Sequence, residues 1–293
     1  MTGSNIYNYC DFEISPAGEM LSPVGHCPGR ILMNGKEIKK AVDVSARAGS
    51  ILLRSGDEIT RVEETIRHMM NAFGVSRYDI FTVTNGIFLS ANADDAPEGT
   101  GCYTRICDVP RNSSDLSRVD MVNTLSRDIE AGRCGIDEAE ARLDMIEHSK
   151  GYHPALLCLA AAVAAGTFSW LFGGGAVDAL LAALCAVCYY PLARILGRTR
   201  LSKLLTNGIC GCIMALLSVL FVKTIPGVSM DKVIIGAIMP LIPGVSFVNS
   251  VRDVAAGDYI SGTVRFVDVI VTAGGIALGV GATILIFSRL GVI

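Results

Sequence analysis

The stretch Pro240–Phe266, PLIPGVSFVNSVRDVAAGDYISGTVRF, decides how the second half of this chain is interpreted. Pro240 and Pro243 stand inside an apolar region, where each removes a backbone N–H donor and prevents a regular helix. Three polar residues follow the break: Asn249, Arg252 and Asp253. Broken backbone at membrane depth is tolerated only against protein or a water-filled cavity. The stretch therefore predicts a membrane span with a functional break rather than a simple anchor.

The apolar residues are concentrated in the second half of the chain. The 293 residues are 51% hydrophobic, which is above the usual share for a soluble domain. Residues 1–150 hold 16 basic and 23 acidic side chains, whereas residues 151–293 hold 9 and 5. We predict an α-helical membrane bundle of about five transmembrane helices, preceded by a small cytosolic α+β domain. The predicted spans are 154–172, 176–196, 204–222, 232–250 and 267–288.

The basic residues of the bundle favour one orientation. They gather in the second and fourth connections, as Arg194, Arg198, Arg200, Lys203, Arg252 and Arg265. Because basic connections stay on the cytoplasmic side, we predict a multi-pass plasma-membrane protein with a cytoplasmic N-terminal domain and an outside C-terminus. The first residues lack the basic and apolar regions of a signal peptide, which agrees with this orientation.

The N-terminal half combines helical and strand patterns. Residues 1–35 are rich in Gly, Pro and Ser and predict a flexible leader, and residues 36–150 predict the α+β domain. A first helix ends near Arg54, and Ser55-x-x-Glu58 has the pattern of a capping box that starts a second helix.

The strands and the remaining helices follow. Asn85-Gly86 between two β-prone runs predicts a hairpin, and CYTRICDV predicts a third strand. Two further helices are predicted, one over about residues 115–131 and one that starts at Asp137-x-x-Glu140. In the bundle, Gly275-x-x-x-Gly279 and Ala162-x-x-x-Gly166 predict close helix approach.

The sequence gives no sign of catalysis or of a cofactor. The four histidines are scattered without metal-ligand spacing, and no nucleophile elbow or phosphate-binding loop occurs. Most cysteines lie in apolar runs, where cysteine behaves as a small hydrophobe, so Cys185-x-x-Cys188 does not predict a metal or redox site. The near-neutral charge argues against nucleic acid as a partner. We predict no enzyme activity, no cofactor and no metal.

The break and its polar residues suggest a substrate site. Half-helix ends direct partial charges at a small substrate in transporters, so Pro240, Pro243, Gly244, Asn249, Arg252 and Asp253 are candidate substrate-binding residues. Arg252 could hold a carboxylate and Asp253 an amine, or the two could pair with each other. Alternatively, Arg252, Asp253, Asp258 and Arg265 form an interfacial loop network. Asp258, Arg265 and Asp268 are candidates for proton coupling or gating.

Three motifs resemble the threonine/serine exporter family, in particular its YjjP-like larger subunits. The first is the opening stretch to Arg265, the second is AGSILLRSGDEITRVEETIRHMMNAFG, and the third is DIEAGRCGIDEAEARLDMI. The resemblance covers the chain from about Lys36 onward. It implies a cytosolic domain joined to five spans and the proton-driven export of small hydrophilic metabolites, either amino acids or dicarboxylates such as succinate. It also points to a cytosolic gate or vestibule, formed by Arg54, Glu58, Arg61 and Glu63.

The resemblance also implies a partner. Full-length family members carry a second set of spans that this chain lacks, and split members pair with a small membrane subunit, here a YjjB-like half. A homo-oligomer is a further assembly to consider. Two other functions stay open from the residues alone. The chain could be a membrane-anchored metabolite sensor, or a membrane-tethered hydrolase that uses its cytosolic domain.

Overall fold

The protein is described from a computed structural model, which covers residues 35–92, 102–110, 115–199 and 201–291. The predicted leader, 1–35, lies outside these residues except for Gly35. Within them, the N-terminal domain consists of α1 (Gly35–Arg54), α2 (Ile59–Ala72), β1 (Tyr78–Val83), β2 (Gly86–Asn92), β3 (Cys102–Asp108), α3 (Leu116–Glu130) and α4 (Ile136–Glu147). The strands form an antiparallel sheet in the order β1-β2-β3. The predicted mixture of helices and a hairpin sheet is confirmed.

The core of this domain lies between the helices and one face of the sheet. Along α2, Ile59, Val62, Ile66 and Met69 are buried, as their helical spacing predicts. They meet α1 and the inward side chains of β2, which include Ile87. Gly49 of α1 lies where a Cβ would come within 2.5 Å of Ile66 Cδ1, so the two helices pack closely.

Two details of the helix starts differ from the sequence prediction. Ser55 does not cap α2, because its amide closes the last turn of α1 on the Ile51 carbonyl at 3.0 Å. Glu58 is the N-cap residue of α2, but its side chain makes no capping hydrogen bond. The Glu58 carboxylate instead accepts a hydrogen bond from Arg252. Helix α4 begins at Ile136 after Gly135 rather than at Asp137.

The hairpin forms one residue earlier than its Asn-Gly signal suggests. Val83 pairs with Gly86, so Thr84 and Asn85 make the two-residue connection and Gly86 already belongs to β2. The Val109 amide donates to the Asn85 carbonyl at 2.9 Å, which ties the end of β3 to this turn.

The second half of the chain forms an apolar bundle of helices. Its elements are α5 (Pro154–Leu171), α6 (Ala176–Leu196), α7 (Lys203–Thr224), α8 (Met230–Ile238), a 3-10 turn (Met239–Leu241), α9 (Gly244–Ala255) and α10 (Tyr259–Arg289). Among the described residues, four helices are long and apolar enough to cross a membrane, or five spans if the bent α8/α9 pair counts as one. Large side chains such as Leu180 and Leu278 point outward, 70% and 66% exposed, which fits contact with lipid.

The fourth span is broken, as Pro240 and Pro243 predict. The helices before and after the break are bent by 59° relative to each other. The helix that carries the last predicted span, 267–288, starts at Tyr259. Its first turns are more polar than the rest, because they contain Gly262, Arg265 and Asp268.

Small residues allow the membrane helices to approach closely. A Cβ on Gly275 would lie 2.6 Å from the Leu204 carbonyl oxygen, and one on Gly279 would overlap the Gly208 carbonyl oxygen of α7. In the first pair, a Cβ on Gly166 would lie 2.9 Å from the Ala179 carbonyl oxygen of α6. Both small-residue motifs therefore lie at helix contacts, as predicted.

Replacing Gly279 with alanine is expected to destabilise the contact of α7 with α10 by about 1–3 kcal/mol or more, because the added methyl group meets backbone that cannot move alone. Gly281→Ala on the same helix is the matched control, since its Cβ meets nothing within 4 Å. Thermal unfolding of the two detergent-purified variants tests this. Equal melting temperatures would contradict the packing.

Candidate functional site at the junction of the N-terminal domain and the bundle

The connection between α1 and α2 docks against the bundle. It contributes Gly56, Asp57 and Glu58, which meet one end of α9 and the first turns of α10. We call this group the junction cluster, and its members are Gly56, Asp57, Glu58, Asn249, Arg252, Asp253 and Arg265. It joins two parts of the chain that lie about 200 positions apart, as the separation of 194 between Glu58 and Arg252 shows.

Three polar contacts hold the connection in place. Asn249 Nδ2 donates to the Gly56 carbonyl at 3.2 Å. Arg252 donates to the Glu58 carboxylate at 2.9 Å, and Arg265 donates to the Asp57 carbonyl at 2.8 Å. A fourth contact lies beside them, from the Thr84 hydroxyl to the Ser261 carbonyl at 3.4 Å. Each of these four contacts therefore joins the N-terminal domain to the bundle.

A buried ion pair lies beneath these contacts. The Arg265 guanidinium lies 3.1 Å from the Asp253 carboxylate, and the two side chains are 4% and 0% exposed. Their alignment is poor for a hydrogen bond, and neither Asp253 oxygen receives a well-aligned one from any other group, although the Ile59 amide at the start of α2 also interacts with this carboxylate. A buried carboxylate with open acceptor positions is uncommon and calls for a functional explanation.

Two glycine turns bring the parts of the site together. Gly56 has a φ of 85° and reverses the chain after α1, so that Asp57 and Glu58 face α9. Gly257 has a φ of 93° and reverses the chain between α9 and α10. A Cβ on Gly262 would lie 2.9 Å from the Val254 amide, so these two helices pack tightly. The carboxylate of Asp253 thereby comes beside the guanidinium of Arg265.

Arg252 and Asp253 do not pair with each other, which was one of the two alternatives that the sequence left open. The adjacent residues point in different directions on α9, because successive positions of a helix are about 100° apart. Arg252 reaches outward to Glu58, and Asp253 reaches inward to Arg265. Of the four residues of the alternative network, Asp253 and Arg265 do pair with each other, although they lie within α9 and α10 rather than in a loop.

The remaining predicted substrate residues lie at the other end of α9. Pro243 precedes α9 and Gly244 begins it, while Pro240 lies in the short 3-10 turn. Gly244 is about 12 Å along the helix from Arg252, at 1.5 Å per residue. The break and the junction cluster are therefore the two ends of one half-helix.

Comparison with known proteins agrees with these motifs. Residues 43–287 match the family model of threonine/serine exporters. The chain belongs to the threonine/serine exporter family. It is 26% identical over 284 residues to the "Threonine/serine exporter" of Corynebacterium glutamicum, covering 92% of this chain and 54% of that protein. It is also 26% identical to the "Probable threonine/serine exporter" of Mycobacterium tuberculosis, covering 83% of this chain and 45% of that protein.

This threonine/serine exporter family member thus spans about half the length of the curated relatives that it matches. No solved structure shows a significant match. Family membership together with several apolar helices identifies a multi-pass membrane protein, so the resemblance drawn from the motifs is confirmed.

The predicted gate residues of this family member do not form one group. Only Glu58 belongs to the junction cluster. Arg61 is half exposed and lies 3.7 Å from Asp57. Arg54 turns away, towards Glu147 of α4 at 3.8 Å. Glu63 accepts a hydrogen bond from the Thr82 amide at 3.0 Å and so braces the sheet.

The predicted coupling residues also separate. Asp258 is the N-cap of α10 and accepts from the Ser261 amide at 3.1 Å. Asp268 accepts from Lys203, at the start of α7, at 2.7 Å. Of the three predicted coupling residues, only Arg265 belongs to the junction cluster. Asp57 and Lys203 were not among the predicted site residues, although Asp57 stands beside Glu58 after a turn glycine, which was the available signal.

The Glu63 carboxyl lies close enough to Asp258 for the charge of Asp258 to affect its pKa. Burial raises the pKa of Glu63 above its usual value, and the nearby Asp258 charge adds to the rise, while the Thr82 amide and Arg67 oppose it. The folded protein therefore binds this proton more tightly than the unfolded chain does. The resulting stabilisation is complete below the unfolded pKa and is lost as the pH rises through the folded pKa.

Replacing Glu63 with glutamine is expected to remove this loss, because the neutral amide keeps an acceptor for Thr82 without burying a charge. The melting temperature of Glu63→Gln should rise relative to the parent protein as the pH increases from about 4 to 8. Glu64→Gln, on the exposed side of α2, is the control, and its melting temperature relative to the parent protein should not change with pH. A melting temperature of Glu63→Gln that falls relative to the parent as the pH increases would contradict the assignment.

Metal and thiol chemistry find no support in the described part of the chain. There, no three His, Cys, Asp or Glu side chains are grouped to hold a metal ion. Cys185 is buried among apolar side chains while Cys188 points outward, so this pair does not form a site.

Proposed function

We propose that the chain is a subunit of a secondary-active exporter of small hydrophilic metabolites, driven by the proton gradient. Its substrates are threonine- and serine-type amino acids or dicarboxylates such as succinate, and it works with a second small membrane subunit rather than as an enzyme. One observation carries the proposal. Asp253 is fully buried beside Arg265, with acceptor positions left open, at the end of a half-helix that follows a broken span.

The junction cluster offers complementary charges for an amino acid. The open oxygens of Asp253 can accept a substrate ammonium group or a proton. The Arg252 side chain is 60% exposed and is held by one contact to Glu58, so its guanidinium can exchange that partner for a substrate carboxylate. We therefore assign Arg252 to the carboxylate and Asp253 to the ammonium group or the proton.

The connection between α1 and α2 serves as the gate in this proposal. It covers the end of α9 through Gly56, Asp57 and Glu58. A partly exposed ion pair such as that of Glu58 with Arg252 contributes only about 0–1 kcal/mol, so it can open and close readily. The proposed orientation, with this gate on the cytoplasmic side, rests on the basic connections at the same end of the bundle.

The break at Pro240–Gly244 forms the other end of the proposed path. Unpaired backbone groups at a break are tolerated where they face a cavity or another protein. The outward side of α9 carries Val245, Val248 and Val251, each more than half exposed. We propose that a second membrane subunit completes the path at this apolar surface.

Proton coupling is proposed for Asp258, Arg265 and Asp268. The three lie on the first turns of α10 or directly before it, between the gate and the bundle. A substrate that releases the Arg265–Asp253 contact would expose Asp253 to a proton, and the Lys203–Asp268 pair lies on the same side of the bundle. Protonation of Asp253 would then remove the charge that holds the ammonium group.

Efflux from preloaded cells tests the proposal. Cells loaded with labelled threonine, serine or succinate would express the chain alone or with a candidate small membrane subunit. We expect efflux only from the pair, and we expect it to stop when a protonophore collapses the proton gradient. Inserted proteins without efflux in either case would overturn the proposal and favour a sensor.

A further inference from the structure

A charged groove runs along α1 from Lys36 to Arg54. Its walls are β3 and α4, and its volume is about 740 Å³, within the range of small-molecule sites. Six basic side chains line it: Lys36, Lys39, Lys40, Arg47, Arg54 and Arg105. Of the predicted substrate, coupling and gate residues, only Arg54 lines this groove.

Four acidic side chains line the groove, and three of them, Asp43, Glu140 and Glu147, already have basic partners; the fourth is Asp108. Glu140 lies 3.2 Å from Lys40, and Glu147 lies 2.6 Å from Arg47. On the other wall, Asp43 lies 3.5 Å from Arg105 and accepts a hydrogen bond from the Tyr103 hydroxyl at 3.0 Å. These contacts neutralise most of the negative charge, so the groove does not favour a cation.

Basic groups without a carboxylate partner remain. Within the described ranges, no carboxylate lies within 4.0 Å of the Lys36 or Lys39 ammonium group. Lys39 instead lies 5.5 Å above the Tyr103 ring, which leaves its N–H donors for another acceptor. At the far end, the Arg54 Nε is buried and makes no hydrogen bond. The groove thus retains unused donors at both ends.

We propose that this groove binds a small anionic metabolite through carboxylate or phosphate groups. Its donors come from one helix face, since Lys36, Lys39 or Lys40, Arg47 and Arg54 follow one another at helical spacing. Arg54 is the last residue of α1 and directly precedes the connection that carries Glu58. A ligand that contacts Arg54 therefore stabilises the end of α1 from which the proposed gate starts. Only this regulatory consequence rests on the proposed function.

Equilibrium binding to the detergent-purified full chain tests the site. The probes are succinate and inorganic pyrophosphate, which separate carboxylate from phosphate recognition, with L-threonine as the zwitterion for comparison. We expect at least one anion to bind saturably. Its affinity should fall about tenfold or more in the Lys36→Gln/Lys39→Gln variant, because two charged donors are lost. Lys150→Gln, an exposed lysine outside the groove, is the matched control.

A second variant separates the groove from the transport site. Arg252→Ala should keep pyrophosphate binding and any succinate binding that the double lysine variant loses, because Arg252 lies in the junction cluster and is proposed to hold only a transported carboxylate. Loss of this lysine-dependent binding in Arg252→Ala, or anion binding that is unchanged in the double lysine variant, would overturn the groove assignment. So would the lack of saturable binding by either anion. None of these results depends on whether the chain exports a substrate, which flux measurements decide separately.

Discussion

Replacing Arg265 with methionine is expected to lower the free energy of unfolding by about 3–5 kcal/mol, because it leaves the buried Asp253 carboxylate without its counter-ion. It also removes the hydrogen bond to the Asp57 carbonyl. Methionine preserves much of the side-chain volume, so the loss reflects charge rather than a cavity. Thermal unfolding of the detergent-purified chain gives the comparison.

The double variant Arg265→Met/Asp253→Leu separates the charge from the packing. If an uncompensated carboxylate causes the loss, the second substitution should restore much of the stability, since an apolar pair tolerates burial. Arg289→Met, an exposed arginine at the other end of α10, should change little. Equal destabilisation of the single and double variants would contradict a buried ion pair.

Replacing Arg252 with alanine is expected to reduce efflux by about ten- to a hundredfold while the protein stays inserted. One charge-assisted hydrogen bond to a substrate carboxylate is worth about 1.5–3 kcal/mol, which corresponds to that range. The melting temperature should barely change, because the Arg252 side chain is 60% exposed in its pair with Glu58. Arg265 and Arg252 are thus expected to affect different properties.

The exchanged variant Arg252→Glu/Glu58→Arg distinguishes a substrate contact from a simple latch. The exchange restores opposite charges across the junction, so the docking of the connection should persist. Efflux should stay low, since the carboxylate-binding guanidinium has moved from α9 to the connection between α1 and α2. Arg198→Ala, on an exposed connection of the bundle, serves as the control. Full recovery of efflux in the exchanged variant would show that Arg252 acts only as a latch.

The secondary structure was predictable because it depends on local patterns. Ile59, Val62, Ile66 and Met69 recur at helical spacing, and they are the residues that α2 buries. The span break follows directly from Pro240 and Pro243, whose missing N–H groups exclude a regular helix wherever the chain folds. Long apolar runs likewise predict the first three membrane helices, since few other kinds of structure contain so many consecutive apolar residues.

The contacts of the site were not predictable in the same way. Glu58 looked like part of a capping box, but its carboxylate meets Arg252 across 194 positions of sequence. A local motif cannot show this, because the contact depends on how the domain docks on the bundle. The same holds for Asp253, whose partner Arg265 is one helix away rather than next in sequence.

Flux in proteoliposomes tests the central claim most directly. The purified chain would be reconstituted with its candidate membrane subunit, loaded with labelled threonine, and exposed to an imposed pH gradient. The account predicts flux that requires both subunits, follows the direction of the gradient and is strongly reduced in Arg252→Ala. Flux that ignores the gradient and persists in Arg252→Ala would contradict it.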